Sequence, residues 1–304
     1  MERASASGSS GVEAKQWWRL WLAGARPRTL GAAVSPVVVG TAVAQAEAGG
    51  VAWERAVLAL VVALGLQVGV NYANDYSDGV RGTDRDRAGP LRLTASGLAS
   101  PAAVRWASVC ANAVAAVAGL ALALIVTAWL LLVGIAAIAA AVLYTGGPKP
   151  YGYHGLGEVM VFVFFGFVAT AGSTFVQLEG IPAAAVWASF VTGLLACAIL
   201  LTNNLRDIQT DTVAGKRTLA VRLGAQRTRQ AYTACVGVAF LAVVPIAVEH
   251  PEAAAAFLAL VLAVDPVRKV LRETAPPQLV RALVGTARLQ LVTALLLGVG
   301  LWAS

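Results

Sequence analysis

Residues 71–84 read Asn-Tyr-Ala-Asn-Asp-Tyr-Ser-Asp-Gly-Val-Arg-Gly-Thr-Asp and follow a long apolar run over residues 56–70. That run is typical of a membrane-crossing helix, so the acids stand where this helix ends. On a helix, spacings of three and four residues place Asn71, Asn74, Asp75 and Asp78 on one face. Carboxylate and amide oxygens gathered without a matching Lys or Arg predict a site for Mg²⁺.

A second polar cluster follows another apolar run. Residues 203–211 read Asn-Asn-Leu-Arg-Asp-Ile-Gln-Thr-Asp, with two acids four residues apart, at Asp207 and Asp211. A single aspartate at a helix end usually just faces water, whereas paired clusters at membrane-helix ends favour a functional site. The sequence therefore predicts that the two clusters work together.

The composition indicates an all-α, polytopic membrane protein. Hydrophobic residues make up 58% of the 304, charged residues only 13%, and the mean hydropathy is +0.73, whereas a soluble domain carries about a quarter charged residues. The net charge of +7 is then best explained by basic loops on the inner side of a membrane, not by nucleic-acid binding. We therefore expect membrane lipid to surround the protein.

Apolar runs long enough to cross about 30 Å of hydrocarbon predict nine spans. They cover residues 29–47, 55–77, 101–124, 127–145, 158–179, 182–205, 228–248, 252–272 and 278–302. The eighth is the weakest, because Asp265 and Pro266 interrupt it. Residues 1–16 are expected to be a disordered tail, and residues 17–304 a single membrane domain that opens with a Trp-rich interfacial segment.

The distribution of Lys and Arg predicts the orientation. With the N-terminus inside, nearly all basic residues lie near the inner loops, and the outer loops contain only Arg55. This arrangement places both acid clusters at the inner ends of the second and sixth spans. We therefore expect a protein of the cell membrane whose site faces the cytoplasm.

Basic residues beside the acids suggest the ligand. Mg²⁺ held by few carboxylates usually completes its coordination with substrate phosphates, and neighbouring cations hold the remaining phosphate charge. Basic side chains stand near both clusters: Arg81, Lys149, Arg206, Lys216, Arg217 and Arg222. The combination predicts a site for a lipid diphosphate.

Three segments resemble the UbiA superfamily of intramembrane prenyltransferases, and most of all the branch that prenylates 1,4-dihydroxy-2-naphthoate. They cover residues 74–84, 144–153 and 203–224, and the similarity extends over nearly the whole chain from Arg26 onward. The second motif of the superfamily, Asp-x₃-Asp, fits at Asp207 and Asp211. The first, Asn-x₃-Asp-x₃-Asp, has Gly82 in its last position, and the next acid is Asp84.

The resemblance implies about nine helices around a central cavity, two Mg²⁺ ions, and prenyl transfer from a polyprenyl diphosphate to 1,4-dihydroxy-2-naphthoate with loss of CO₂. The implied metal ligands are Asn74, Asp78, Asp84, Asp207 and Asp211. The predicted catalytic residues are Asp75, Asp78, Tyr144, Lys149, Asp207 and Asp211. The predicted substrate-binding residues are Arg28, Asn71, Arg81, Tyr151, Asn203, Arg206, Lys216 and Arg217.

Several alternatives remain open at this stage. Asp75 either ligates a metal, holds a ligand in place or acts as a base, and the rings of Tyr144 and Tyr151 either shield an allylic cation or simply lie at the interface. Another aromatic acceptor, such as 4-hydroxybenzoate, suits the same mechanism. A cation-coupled transporter is disfavoured, because transport sites lie near the membrane midplane on broken helices. The prenyl chain length and the oligomeric state stay undetermined.

Overall fold

The computed structural model describes residues 9–82 and 91–304, and within these ranges the chain forms helices and no strands. We number the helices in chain order. They are α1 (Ser9–Ala25), α2 (Pro27–Ala48), α3 (Trp53–Arg81), α4 (Pro101–Ile125), α5 (Leu130–Leu143), α6 (Gly157–Leu178), α7 (Ala183–Arg206), α8 (Ile208–Val213), α9 (Leu219–Leu241), α10 (Val243–Glu249), α11 (Leu260–Arg272) and α12 (Pro276–Ala303). Short 3₁₀ segments cover Tyr151–His154 and Pro251–Ala259, and the middle of α6, Phe162–Ala171, is a π-helix.

The predicted all-α membrane architecture is confirmed, whereas the count of nine spans is not. Within the described ranges, 7 helical stretches are long and apolar enough to cross a membrane: α2, α3, α4, α6, α7, α9 with α10, and α12. The predicted span 127–145 corresponds to α5, which has only 14 residues. The predicted span 252–272 is divided between a 3₁₀ segment and α11, which contains Pro266. The chain is α-helical through Pro266, so the division lies at residues 259–260 and not at the proline.

Helix α7 lies at the centre of the bundle. Ala184, Ala185, Ala188 and Ala198 are completely buried, and α7 packs against the π segment, α9 and α12. Small side chains allow helix backbones to approach closely, which is the main source of helix association in lipid. The end of α7 is therefore held in place by helices on several sides.

Helix α3 is longer than a membrane requires. Its 29 residues extend over roughly 44 Å at 1.5 Å per residue, against about 30 Å of hydrocarbon. Its last turns carry Asn74, Asp75 and Asp78, and it ends at Gly82 in a left-handed conformation (φ 71°). The first polar cluster is consequently part of a rigid helix and not of a loop.

Helix α1 lies against the start of this bundle. The Tyr72 hydroxyl donates to the Trp21 carbonyl oxygen over 2.7 Å, and the two rings also meet edge to face at 5.8 Å. Trp17 and Trp18 are exposed, as expected for an interfacial helix. The tail predicted for residues 1–16 overlaps α1 from Ser9 onward, and its first residues lie outside the described ranges.

The contact between α2 and α6 depends on Gly40. A Cβ at this position would overlap the Thr170 carbonyl oxygen and lie 2.8 Å from the Ser173 Cβ. We expect Gly40→Ala to lower the free energy of unfolding by about 2 kcal/mol, because backbone in a close contact cannot move aside cheaply. Thermal unfolding in detergent measures this effect.

The matched control is Gly134→Ala in α5, where an added Cβ meets nothing within 4 Å. Alanine should leave stability unchanged there or raise it by about 0.5–1 kcal/mol, since glycine is a poor helix former. Equal effects of the two substitutions would show that close packing at Gly40 is not what matters.

Candidate active site

A cavity of about 120 Å³ lies where α3 and α7 end, and both polar clusters contribute to its lining. From the first come Asn74 and Asp78, and from the second Asn203, Asn204, Arg206 and Asp211. The two clusters, more than a hundred residues apart in the chain, therefore face one space. The C-terminal ends of both helices carry partial negative charge, which adds to the attraction for cations.

Asp78 lies among several hydrogen-bonding and cationic groups in this cavity. Its Oδ1 accepts hydrogen bonds from the Tyr153 hydroxyl at 2.7 Å and from Lys216 Nζ at 3.0 Å. Arg92 lies 3.9 Å from its Oδ2. Burial, together with the neighbouring Asp78 carboxylate, raises the pKa of the Tyr153 phenol. Tyr153 therefore stays protonated at neutral pH and remains a donor to Asp78.

The second cluster is arranged around Arg206. Its guanidinium binds Asp207 through two hydrogen bonds of 2.7 and 2.6 Å and also donates to Asn203 Oδ1 at 2.9 Å. Its Nη1 is buried and makes no hydrogen bond within the described ranges. Such bidentate contacts are strong and geometrically specific. Asp207 thus faces Arg206, and Asp211 is the acid of this cluster that lines the cavity.

Within the described ranges, no three aspartates of the two clusters have carboxylate oxygens within 4.8 Å of one another. In the part of the chain that the structure describes, the His or acidic side chains that meet as a group of three, within 4.8 Å of one another, are Glu47, Glu249 and His250. They lie at the far end of α2 from the cavity.

Three predicted site residues have structural partners and do not line the cavity. Asn71 donates to the Ala25 carbonyl oxygen at 2.8 Å, and so ties α3 to the α1–α2 junction. Arg81 donates to the carbonyl oxygens of Thr145 and Gly147 at 2.6 and 2.7 Å. Asp75 binds the backbone N–H groups of Leu93 and Thr94. These side chains hold the segments around the cavity in position.

Asp75 anchors the segment that carries Arg92. Its two oxygens accept hydrogen bonds from the backbone N–H groups of Leu93 and Thr94 at 2.8 and 2.9 Å, and the side chain is buried. Hydrogen bonds to a charged group contribute about 1.5–3 kcal/mol each. Of the roles left open by the sequence, this geometry favours a positioning one.

We expect Asp75→Ala to release this segment and to accelerate limited trypsin cleavage after Arg92 by at least about tenfold, because both charge-assisted hydrogen bonds are lost. Mass spectrometry of the fragments identifies the cleavage site. Cleavage elsewhere in the chain should keep its rate, which provides the internal control. An unchanged rate after Arg92 would contradict the anchoring role.

Other predicted residues differ in their placement. Tyr144 lines the cavity and meets the ring of Tyr151 edge to face at 5.5 Å, while the Tyr151 hydroxyl donates to the Ala140 carbonyl oxygen. Three basic side chains predicted to act on the substrate are exposed and lie outside the lining: Arg28, Lys149 and Arg217. Asp84 lies outside the described residues.

Some lining residues were not in the predicted set. Arg26, adjacent to the Pro27 that opens α2, has a left-handed backbone (φ 56°) and lines the cavity in place of Arg28. Tyr153 belongs to the segment 144–153 already singled out, so its position was foreseeable. Arg92 is brought in by the Asp75 anchor, and no local signal in the sequence distinguishes it from other loop arginines.

Comparison with known proteins agrees with this arrangement. The family model "UbiA prenyltransferase family" matches residues 33–284. The 1,4-dihydroxy-2-naphthoate octaprenyltransferase of Mycobacterium leprae is 48% identical over 275 residues, covering 90% of this chain and 93% of the relative. The enzyme of the same name from Escherichia coli is 38% identical, covering 93% of this chain and 95% of the relative.

Solved structures show the same fold. A UbiA homologue from Archaeoglobus fulgidus bound to GPP and Mg²⁺ superposes with a TM-score of 0.62 at 14% identity, covering 94% of this chain and 100% of that one. A UbiA homologue from Aeropyrum pernix K1 gives a TM-score of 0.64 at 16% identity, covering 89% and 96%. The chain belongs to the UbiA prenyltransferase family.

Proposed function

We propose that this member of the UbiA prenyltransferase family transfers a polyprenyl group from polyprenyl diphosphate to 1,4-dihydroxy-2-naphthoate, a step of menaquinone biosynthesis. The observation that carries the proposal is one cavity that combines the oxygens of both clusters with Arg26, Arg92, Arg206 and Lys216. The relatives from Mycobacterium leprae and Escherichia coli are named for this reaction. They support the choice of the naphthoate among aromatic acceptors.

The donor atoms of the cavity fit Mg²⁺. Carboxylate and amide oxygens are the ligands that this ion takes from proteins, usually in small number and together with substrate phosphates. We propose one ion at Asn74 and Asp78 and a second at Asp211, with Asp84 and Asp207 as further ligands. When bound, Mg²⁺ neutralises the charge that grows on the leaving diphosphate. Asp207 would join the metal only after Arg206 has turned away from it.

The cations of the cavity hold the diphosphate. Lys216 Nζ already lies 3.0 Å from Asp78, and Arg92 lies on the other oxygen of that carboxylate. Both groups would contact phosphate oxygens that bind beside Asp78. Donors fixed before the reaction stabilise the departing anion without further reorganisation.

The reaction itself breaks the bond between the allylic carbon and the diphosphate oxygen. The electron-rich ring of the acceptor forms the new carbon–carbon bond, and loss of CO₂ restores aromaticity. Tyr144 lines the cavity, and the π electrons of its ring would favour a developing carbocation. Exclusion of water by the surrounding helices protects the cation from hydrolysis.

We further propose that the protein lies in the cell membrane with the cavity open to the cytoplasm. The basic residues of the chain concentrate on the side of the cavity, and the opposite loops contain only Arg55. Cytoplasmic loops carry the excess of Lys and Arg in membrane proteins. Both the diphosphate and the polar acceptor would then enter from the cytoplasmic side.

The test uses purified protein in nanodiscs with octaprenyl diphosphate, Mg²⁺ and equal concentrations of 1,4-dihydroxy-2-naphthoate and 4-hydroxybenzoate. Mass spectrometry should detect the prenylated hydroquinone, demethylmenaquinol, either as such or as the quinone that it forms with air during work-up, and EDTA should abolish it. Product from 4-hydroxybenzoate alone would overturn the acceptor and keep prenyl transfer. No prenylated product from either acceptor would overturn the proposed reaction.

A further inference from the structure

A buried carboxyl group stands directly behind the cavity wall. Glu158, near the start of α6, is only 6% exposed, and its Oε1 accepts a hydrogen bond from Asn204 Nδ2 at 2.9 Å. Its Oε2 is buried and has no hydrogen-bond partner within the described ranges. A leucine would fill such a place at lower free energy, because a buried, incompletely satisfied carboxyl group is unfavourable. The Glu158 carboxyl group is therefore expected to have a function other than packing.

The contact fixes which end of the Asn204 side chain meets the cavity. A carboxamide has a donor end and an acceptor end, and the donor end of Asn204 is engaged by Glu158. Asn204 lines the cavity. Within the described ranges its Oδ1 accepts no hydrogen bond, and it is not among the buried oxygens that lack a partner, so it is accessible from the cavity. The carbonyl oxygen is therefore the end that a ligand encounters.

Its neighbour is oriented the other way. Asn203 Oδ1 accepts a hydrogen bond from Arg206 Nη2 at 2.9 Å, and arginine has no acceptor to offer. Asn203 is thus left with its NH₂ group for a ligand, whereas Asn204 is left with its oxygen. Two consecutive side chains of the same type present opposite polarity, and each is oriented by a buried neighbour, Glu158 or Arg206.

The other side chains that line the cavity determine which ligand the Asn204 oxygen can bind. Arg92 and Lys216 offer only donors and suit phosphate, while a carbonyl oxygen repels phosphate oxygens. An organic ligand for Asn204 must bring an O–H or N–H group. Of the two proposed substrates, only the dihydroxynaphthoate carries hydroxyl groups.

Resting on the proposed function, we propose that Glu158 is a positioning residue that turns the Asn204 carbonyl oxygen toward a hydroxyl group of the aromatic acceptor. The accepted hydrogen bond orients the ring and leaves more electron density on it, which favours attack on the allylic carbon. A site built to pair with a substrate hydroxyl also discriminates against acceptors that lack it, because its own polar group would be left unpaired.

The test compares KM values for the two substrates in Glu158→Leu, Glu158→Gln and Asn204→Ala. We expect KM for the dihydroxynaphthoate to rise about tenfold in Glu158→Leu and Asn204→Ala, the loss typical of one hydrogen bond. KM for octaprenyl diphosphate and the Mg²⁺ concentration for half-maximal activity should stay within about twofold. Glu158→Gln should retain nearly wild-type values, since its amide oxygen accepts the same hydrogen bond.

The matched control is Cys197→Ala. The Cys197 thiol contacts the Glu158 backbone carbonyl oxygen at 3.2 Å, so its removal disturbs packing at the same place and spares the carboxyl group. KM for the acceptor should not change. Glu158→Leu combined with Asn204→Ala should have the same KM as Asn204→Ala alone, because residues that act through one contact are not additive.

Two outcomes overturn the inference while wild-type activity stands. One is an unchanged acceptor KM in both Glu158→Leu and Asn204→Ala. The other is a shift confined to the Mg²⁺ requirement, which would make Asn204 a metal ligand. If Glu158→Leu does not fold, Asn204→Ala and the glutamine variant still decide the question. A wild-type protein that prenylates no dihydroxynaphthoate overturns the proposed function and this inference together.

Discussion

Replacing Asp78 by asparagine is expected to lower the rate of prenyl transfer by at least about 10³-fold. The substitution keeps the shape of the side chain and removes the charge on which Tyr153, Lys216 and Arg92 converge. It also removes an oxygen ligand of the proposed metal site. The measurement is the initial rate of product formation by mass spectrometry at saturating substrates and Mg²⁺.

Asp265→Asn is the matched control. Asp265 is exposed and pairs with Lys269 one turn away on the same helix, a type of contact that contributes little. Its activity should stay within about twofold of wild type. Because removing one partner of a buried ion pair is destabilising, thermal unfolding must show that the Asp78 variant is folded. A folded Asp78→Asn protein with more than about a tenth of wild-type activity would contradict the assigned role.

Replacing Lys216 by methionine should lower the rate by about 10²–10³-fold. Lys216 is buried, binds Asp78 and lies 4.6 Å from the centre of the Tyr153 ring. Methionine keeps the length of the side chain and its apolar contacts but cannot neutralise the leaving diphosphate. We expect kcat to fall more than the KM for octaprenyl diphosphate rises, since the charge develops mainly in the transition state.

Lys149→Met tests the competing expectation from the sequence. Lys149 belongs to the segment that resembles the family, yet it is exposed and lies outside the cavity lining. We expect its activity to stay within about threefold of wild type, as is usual for an exposed charge. A loss equal to that of Lys216→Met would mean that the loop from Thr145 to Lys149 closes over the substrate and carries the lysine into the cavity.

Part of this site could be predicted from neighbouring residues in the sequence, and part depends on contacts between distant segments. Polar residues at helical spacing after an apolar run made the clusters around Asp78 and Asp211 recognisable, because the period of the helix is a local property. The all-α membrane class followed equally directly from composition. The number of spans did not follow in the same way. The short helix α5 and the interrupted stretch before α11 have the composition of membrane spans without their length.

The membrane class, the two acid clusters and the presence of basic residues beside them were determined by the sequence alone, because hydropathy, helical period and charge are written in neighbouring residues. Only the tertiary structure decided which of these side chains reach the cavity. Asp75 and Arg81 lie within the same few residues as Asp78, yet they hold backbone groups of other segments, while Arg26 and Arg92 come into the site from elsewhere. A side chain's role depends on the partner it meets, and that partner is set by the packing of distant helices.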